Sequence, residues 1–194
     1  MSTLLLNPFE KYNEKQLLTA GIGITILGSI LGFVFNARFD GVIDLHFVKK
    51  TSFLTIASEI IIDVVCVTIL LFILGKYINK KTRFIDILLP VLIARLPFYL
   101  LTIFNSNDFM FKKSENLIKT FQSGQINNPN SNDLFIMLLF GLISIGFLIW
   151  FVIILYNGFK VATNTKGVKN NIFFAISIII AEILSKVILI TLKI

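Results

Sequence analysis

Apolar residues fall in five long runs along this chain, at about 17–36, 53–75, 84–104, 134–159 and 171–192, with polar or basic stretches between them. Each run supplies the roughly 20 apolar residues a helix needs to cross a bilayer. The pattern predicts an all-α fold, an integral membrane bundle of five transmembrane helices forming one domain over 17–194. The head, 1–16, either lies at the membrane surface or stays disordered, and Pro8 makes its Leu4–Leu6 run too short for a signal sequence.

Charged residues interrupt three runs, and they are the chain's most informative feature. Glu59 and Asp63 lie four apart in the second run and share a helix face. Arg95 stands mid-way through the third, and Glu182 and Lys186 are again four apart in the fifth. An ionised group at that depth costs about 2.5–3.5 kcal/mol even on the lenient insertion scale, so each needs a partner. Asp63 lies about 18 Å from the end of its run at Gly75, and Arg95 about 16.5 Å from the start of its run at Phe84. The short linker 76–83 makes the two helices antiparallel neighbours, which brings these groups to one level. The expectation is that Arg95 pairs with Asp63, Glu59 or both. Three deep acids against two deep bases leave one acid uncancelled.

Two further spacings shape the helices. Pro90 and Pro97, seven apart, share a face and predict a kinked third helix whose freed carbonyls either line a site or simply pack. Gly21, Gly28 and Gly32 fall at helical spacing with Thr25 in the first run. Such a face packs against another helix of the chain or, as the second alternative, against a second copy.

The polar stretches carry less chemistry. Residues 37–52 interleave Arg38, Asp40, Asp44, His46, Lys49 and Lys50 with Phe39, Val42, Phe47 and Val48, the pattern of a loop skimming the interface with a solvated histidine. In 105–133, Met110, Leu117, Ile118 and Phe121 form a stripe opposite Lys112, Lys113 and Lys119, which predicts a short interfacial helix broken by Asn127–Asn130.

Composition then removes function classes. Only 15% of residues are charged and 56% are hydrophobic, against about 25% charged in soluble domains. The net charge of +7 is concentrated in short loops, so it speaks for topology and anionic lipid rather than nucleic acid. One cysteine, Cys66, and one histidine give no disulfide and no His/Cys metal site, and the single thiol is read as a small apolar packer. No metal or cofactor is expected, and the Glu59–Asp63 pair has no nucleophile or ligating histidine with which to form an enzyme site. Basic residues are densest in the head, 76–83 and 160–170, which places the N-terminus in the cytoplasm and Ile194 outside a bacterial inner membrane.

Several short segments together resemble the Yip1-domain family. Asn7-Pro8-Phe9 resembles its entry to the first span. The stretch Gly75–Asp86 resembles its basic, glycine-containing linker into a third helix that holds a proline, here Pro90 or Pro97. Trp150 through Gly158 to Lys160 resembles the ending of its fourth helix. The second linker lacks the family's common double glycine, and Arg95 has no place in its pattern. The resemblance implies a compact bacterial-type member acting as a non-enzymatic scaffold or adaptor for membrane or partner proteins. The small-GTPase binding of eukaryotic members is not carried over, because their long N-terminal region has no counterpart here. The alternative is a small ion- or proton-coupled transporter using the buried acids, although the five runs show no inverted repeat.

Overall fold

A computed structural model describes residues 5–122 and 131–194. The protein is about 81% helical, with five stretches long and apolar enough to cross a membrane. They are α1 (Glu14–Val34), α2 (Phe53–Ile78), a broken third stretch, α6 (Ser131–Thr163) and α7 (Val168–Leu192). The third stretch consists of α3 (Phe84–Ala94), α4 (Leu96–Leu101), a 3-10 segment over Thr102–Asp108, and α5 (Phe109–Gln122). One two-residue antiparallel pairing, β1 (Ala37–Arg38) with β2 (His46–Phe47), departs from the all-helical expectation.

Local chemistry sets the boundaries. Asn13 and Gln16 form a reciprocal capping box that starts α1, with Asn13 Oδ1 accepting from the Gln16 N–H at 2.9 Å. Ser52 Oγ accepts the Thr55 N–H at 3.1 Å to start α2. Asp86 reaches back to accept the Arg83 N–H at 3.0 Å at the start of α3. The break between α3 and α4 falls at Arg95, because Pro97 has no N–H for the Ile93 carbonyl and its ring displaces the preceding turn. Pro90 is carried inside α3 without breaking it, so the kink belongs to Pro97. Asn107 and Asp108, with φ of 54° and 57°, then turn the chain into α5.

The broken stretch is the centre of the bundle: 72% of its apolar window is buried, against 17% for α6. It packs on α1, α2 and α6, while α7 lies chiefly along α2. The glycine face of α1 is filled within the chain. A Cβ on Gly28 would stand 2.5 Å from the Tyr99 ring, one on Gly21 2.9 Å from Leu92, and one on Gly32 2.9 Å from Ile56.

Two loop expectations need correction, and a third is found as a helix. Residues 37–48 do not skim the interface: Ala37, Phe39 and Val42 are at most 1% exposed, and the segment folds back among the helices. The head does not trail free, since the Leu5 and Leu6 carbonyls accept from Trp150 Nε1 (3.0 Å) and Asn157 Nδ2 (2.9 Å), laying it on α6. The expected short helix is α5, in which Met110 and Leu117 pack inward while Ile118 and Phe121 face outward. Asn127–Asn130 and Leu4 lie outside the described residues.

Candidate functional site

The site forms where the infolded 37–48 segment meets α2, α7 and the break at Arg95. Glu59 lies six residues and Asp63 ten residues into α2, about 9 and 15 Å from its start. Glu182 lies ten residues before the end of α7, also about 15 Å deep. The antiparallel packing of α2 and α7 therefore lines an inlet with three carboxylates, and the segment descends into it.

A buried backbone N–H needs an acceptor, and residues in a bent loop cannot supply one another with a regular ladder. The carboxylates supply it. Glu59 accepts the Phe39 N–H at 2.9 Å and forms an ion pair with Arg38. Glu182 accepts the Ile43 N–H at 2.9 Å. Gly41 allows the approach, for a Cβ there would stand 2.5 Å from Glu182 Oε1. Lys186 closes the open end, 3.0 Å from Glu182 and 2.6 Å from Asp44 of the segment.

Beneath the segment lies the deepest pair. Arg95 Nη2 is 2.9 Å from Asp63 Oδ2, and neither side chain is more than 1% exposed. Arg95 Nη1 also donates to the Val42 carbonyl at 3.4 Å, and the guanidinium carbon lies 5.9 Å from the centroids of both the Phe39 and Tyr99 rings. The helix break explains the reach: at a break, a long side chain is free of the i–4 stacking that would hold it against its own helix. Cys66 is buried beside α2's inner face and packs, without a disulfide partner.

The sequence-derived residues thus divide among three partnerships. Arg95 takes Asp63 and not Glu59, because Glu59 is already engaged by Arg38 and Phe39. Glu182 and Lys186 form the expected i,i+4 pair and add Asp44. Arg38 supplies the base that the count of deep charges lacked. Neither Arg38 nor Asp44 carried a signal in the sequence, since both read as ordinary loop charges. The interleaved Phe39 and Val42 were the only hint that the loop is buried.

Outside the helix layer, His46 Nδ1 lies 3.1 Å from Asp40 Oδ1. The hydrogen bond that the His46 imidazolium donates to the Asp40 carboxylate raises the His46 pKa above its ordinary 6.5 and lowers Asp40 below 3.8. Asp40, Asp44 and His46 place three donor atoms within 4.8 Å of one another, but the Lys186 ammonium already holds Asp44 at this point.

Compared with protein-family models, curated proteins and solved structures, the chain matches none.

Proposed function

We propose that this chain is a multi-pass integral membrane protein acting as a non-enzymatic scaffold or adaptor of the Yip1-like kind, in a bacterial inner membrane. The supporting observation is that every deep carboxylate is engaged inside the chain: Glu59 by Arg38, Asp63 by Arg95, and Glu182 by Lys186. Charges closed in this way fix helix and loop geometry, which is what buried ion pairs do best. The lysine-dense end that holds the head, 76–83 and 160–170 supports a cytoplasmic N-terminus with Ile194 outside, by the excess of basic residues in cytoplasmic loops. Its partners are the bilayer and another membrane protein. With the glycine face of α1 occupied, self-association through the first span would run along Ile22, Ile26 and Ile30, which are exposed.

Affinity purification from native membranes in mild detergent tests this reading, with wild type and Asp63→Asn in parallel. A stoichiometric protein partner in the wild type is the expected result, and its absence removes the support for an adaptor.

A second reading, the ion- or proton-coupled transporter, draws on the depth of the polar cluster of Asp63, Arg95 and Tyr99, whose side chains are at most 1% exposed. Cys66, three residues beyond Asp63, discriminates. In a scaffold a membrane-impermeant maleimide leaves it unmodified in intact membranes. Rapid labelling there would mean an aqueous route and would shift the reading to transport.

A further inference from the structure

The head descends along α6 instead of lying across its end. Glu10, Lys11, Glu14 and Lys15 are exposed around the turn into α1, at the end of the bundle that also holds Arg83 and Lys160. Read backwards from that turn, the chain runs inward. Pro8 is buried, and the edge of the Phe9 ring would meet a Cβ on Gly158 at 2.9 Å, where Pro90 of α3 packs on the same glycine. The Leu6 and Leu5 carbonyls then take the Asn157 and Trp150 side chains, in that order.

Two gauges give the depth. Along α6, Asn157 lies three residues and Trp150 ten residues inward of Lys160, about 4.5 and 15 Å. Along the third stretch, Gly158 meets Pro90, and Phe151 meets Phe98 ring to ring at 5.0 Å. Those partners are six and fourteen residues in from Phe84, about 9 and 21 Å. The hydrocarbon core of a bilayer is about 30 Å thick. Asn157 therefore stands inside its edge and Trp150 near its middle. Leu5 and Leu6, one residue step apart, reach inward from the Asn157 level towards that of Trp150.

Both bonds are open to the surroundings rather than enclosed by protein. In water they would be dispensable, since solvent offers the same partners. In hydrocarbon they are required. Leu5 and Leu6 are helical and Asn7 is not, so their carbonyls stand at a helix end without an intrahelical N–H. An indole N–H near the midplane equally needs an acceptor. The side chains suit the same medium: Leu5 is 51% exposed and Leu6 37%, and Ile153, on the α6 face shared by Trp150 and Asn157, is exposed as well.

We propose that the head is re-entrant: Leu5 and Leu6 lie within the hydrocarbon of the leaflet at the lysine-dense end, against lipid acyl chains, hung from Trp150 and Asn157. The inference rests on the membrane setting proposed above, and not on the scaffold role.

Single-cysteine variants of the full chain in a Cys66→Ala background, labelled with the fluorophore NBD in detergent and reconstituted into phosphatidylcholine vesicles, test it. Spin-labelled phosphatidylcholines with the nitroxide at the headgroup or at mid-chain serve as quenchers. At Leu5→Cys the mid-chain nitroxide is expected to quench at least about twofold more than the headgroup one, with the order reversed at Lys11→Cys on the membrane edge. Ile145→Cys, on the exposed face of α6, reports the membrane setting through mid-chain quenching. Adding Trp150→Phe/Asn157→Leu is expected to move the Leu5 label to the Lys11 pattern and leave the Ile145 label unchanged. Headgroup-dominated quenching at Leu5→Cys without those two changes would overturn the insertion. Weak quenching there by both lipids would place Leu5 against protein and overturn the lipid contact. A Leu5 label unmoved by the two changes would overturn the anchoring by Trp150 and Asn157. Loss of mid-chain quenching at Ile145→Cys as well would instead overturn the membrane setting.

Discussion

Replacing Arg95 by methionine probes the deepest contact in the molecule. The change keeps most of the unbranched stem and removes the guanidinium. Asp63 then loses its only ionic partner while remaining fully buried about 15 Å along α2. The Val42 carbonyl loses a donor, and the Phe39 and Tyr99 rings lose a cation. Stripping one member from a buried ion pair costs about 3–5 kcal/mol, because the remaining charge is left uncompensated. For a chain of 194 residues that is a fall in melting temperature of about 6–20 °C. Cys66 provides the assay: it is the single cysteine and is buried, so a fluorogenic maleimide reports its exposure during a thermal melt in detergent. The partner experiment is Asp63→Leu/Arg95→Met. It removes both charges and should recover most of the loss, since apolar replacements of buried pairs are often neutral or stabilising. A single variant melting within about 2 °C of wild type would refute the reasoning. So would a double variant no more stable than the single one.

Gly28→Ala should cost about 1–3 kcal/mol in the same melt, because its Cβ meets the Tyr99 ring at 2.5 Å, whereas Gly23→Ala, with open space around it, should be neutral or slightly stabilising. The Asp40–His46 contact should add a pH dependence of no more than about 1 kcal/mol, since both groups are substantially exposed. The raised His46 contributes fully below its ordinary 6.5 and loses that contribution as pH rises through its higher folded value, while the lowered Asp40 contributes above 3.8 and loses it in acid. Melts at pH 5.5 and 8.5 should therefore show wild type losing slightly more stability on going alkaline than His46→Gln, and identical pH profiles would contradict this. Asn157→Leu removes the donor to the Leu6 carbonyl and should loosen the head at a cost of about 1 kcal/mol, read as faster proteolysis near Leu5 and Leu6 with the remaining helices intact.

The length and spacing of the apolar runs were sufficient to place the five long helices, and the caps that set their ends came with the structure. Their cause is local: apolar runs of bilayer length, Asn13 and Ser52 as caps, and Pro97 as a breaker. The meeting of Arg95 with Asp63 was also legible, because helix rise and a short antiparallel linker fix the depth of each residue without any knowledge of packing. Tertiary structure decided what occupies the inlet between α2 and α7. No rule of spacing shows that Glu59 and Glu182 accept backbone N–H groups from Phe39 and Ile43, since a backbone donor leaves no mark in the sequence. Nor does one show that Arg38, a loop residue by every local measure, is the base that answers Glu59. Those choices are made between segments far apart in the chain, where burying polar backbone in an apolar bundle requires whichever acceptors the surrounding helices bring to that depth.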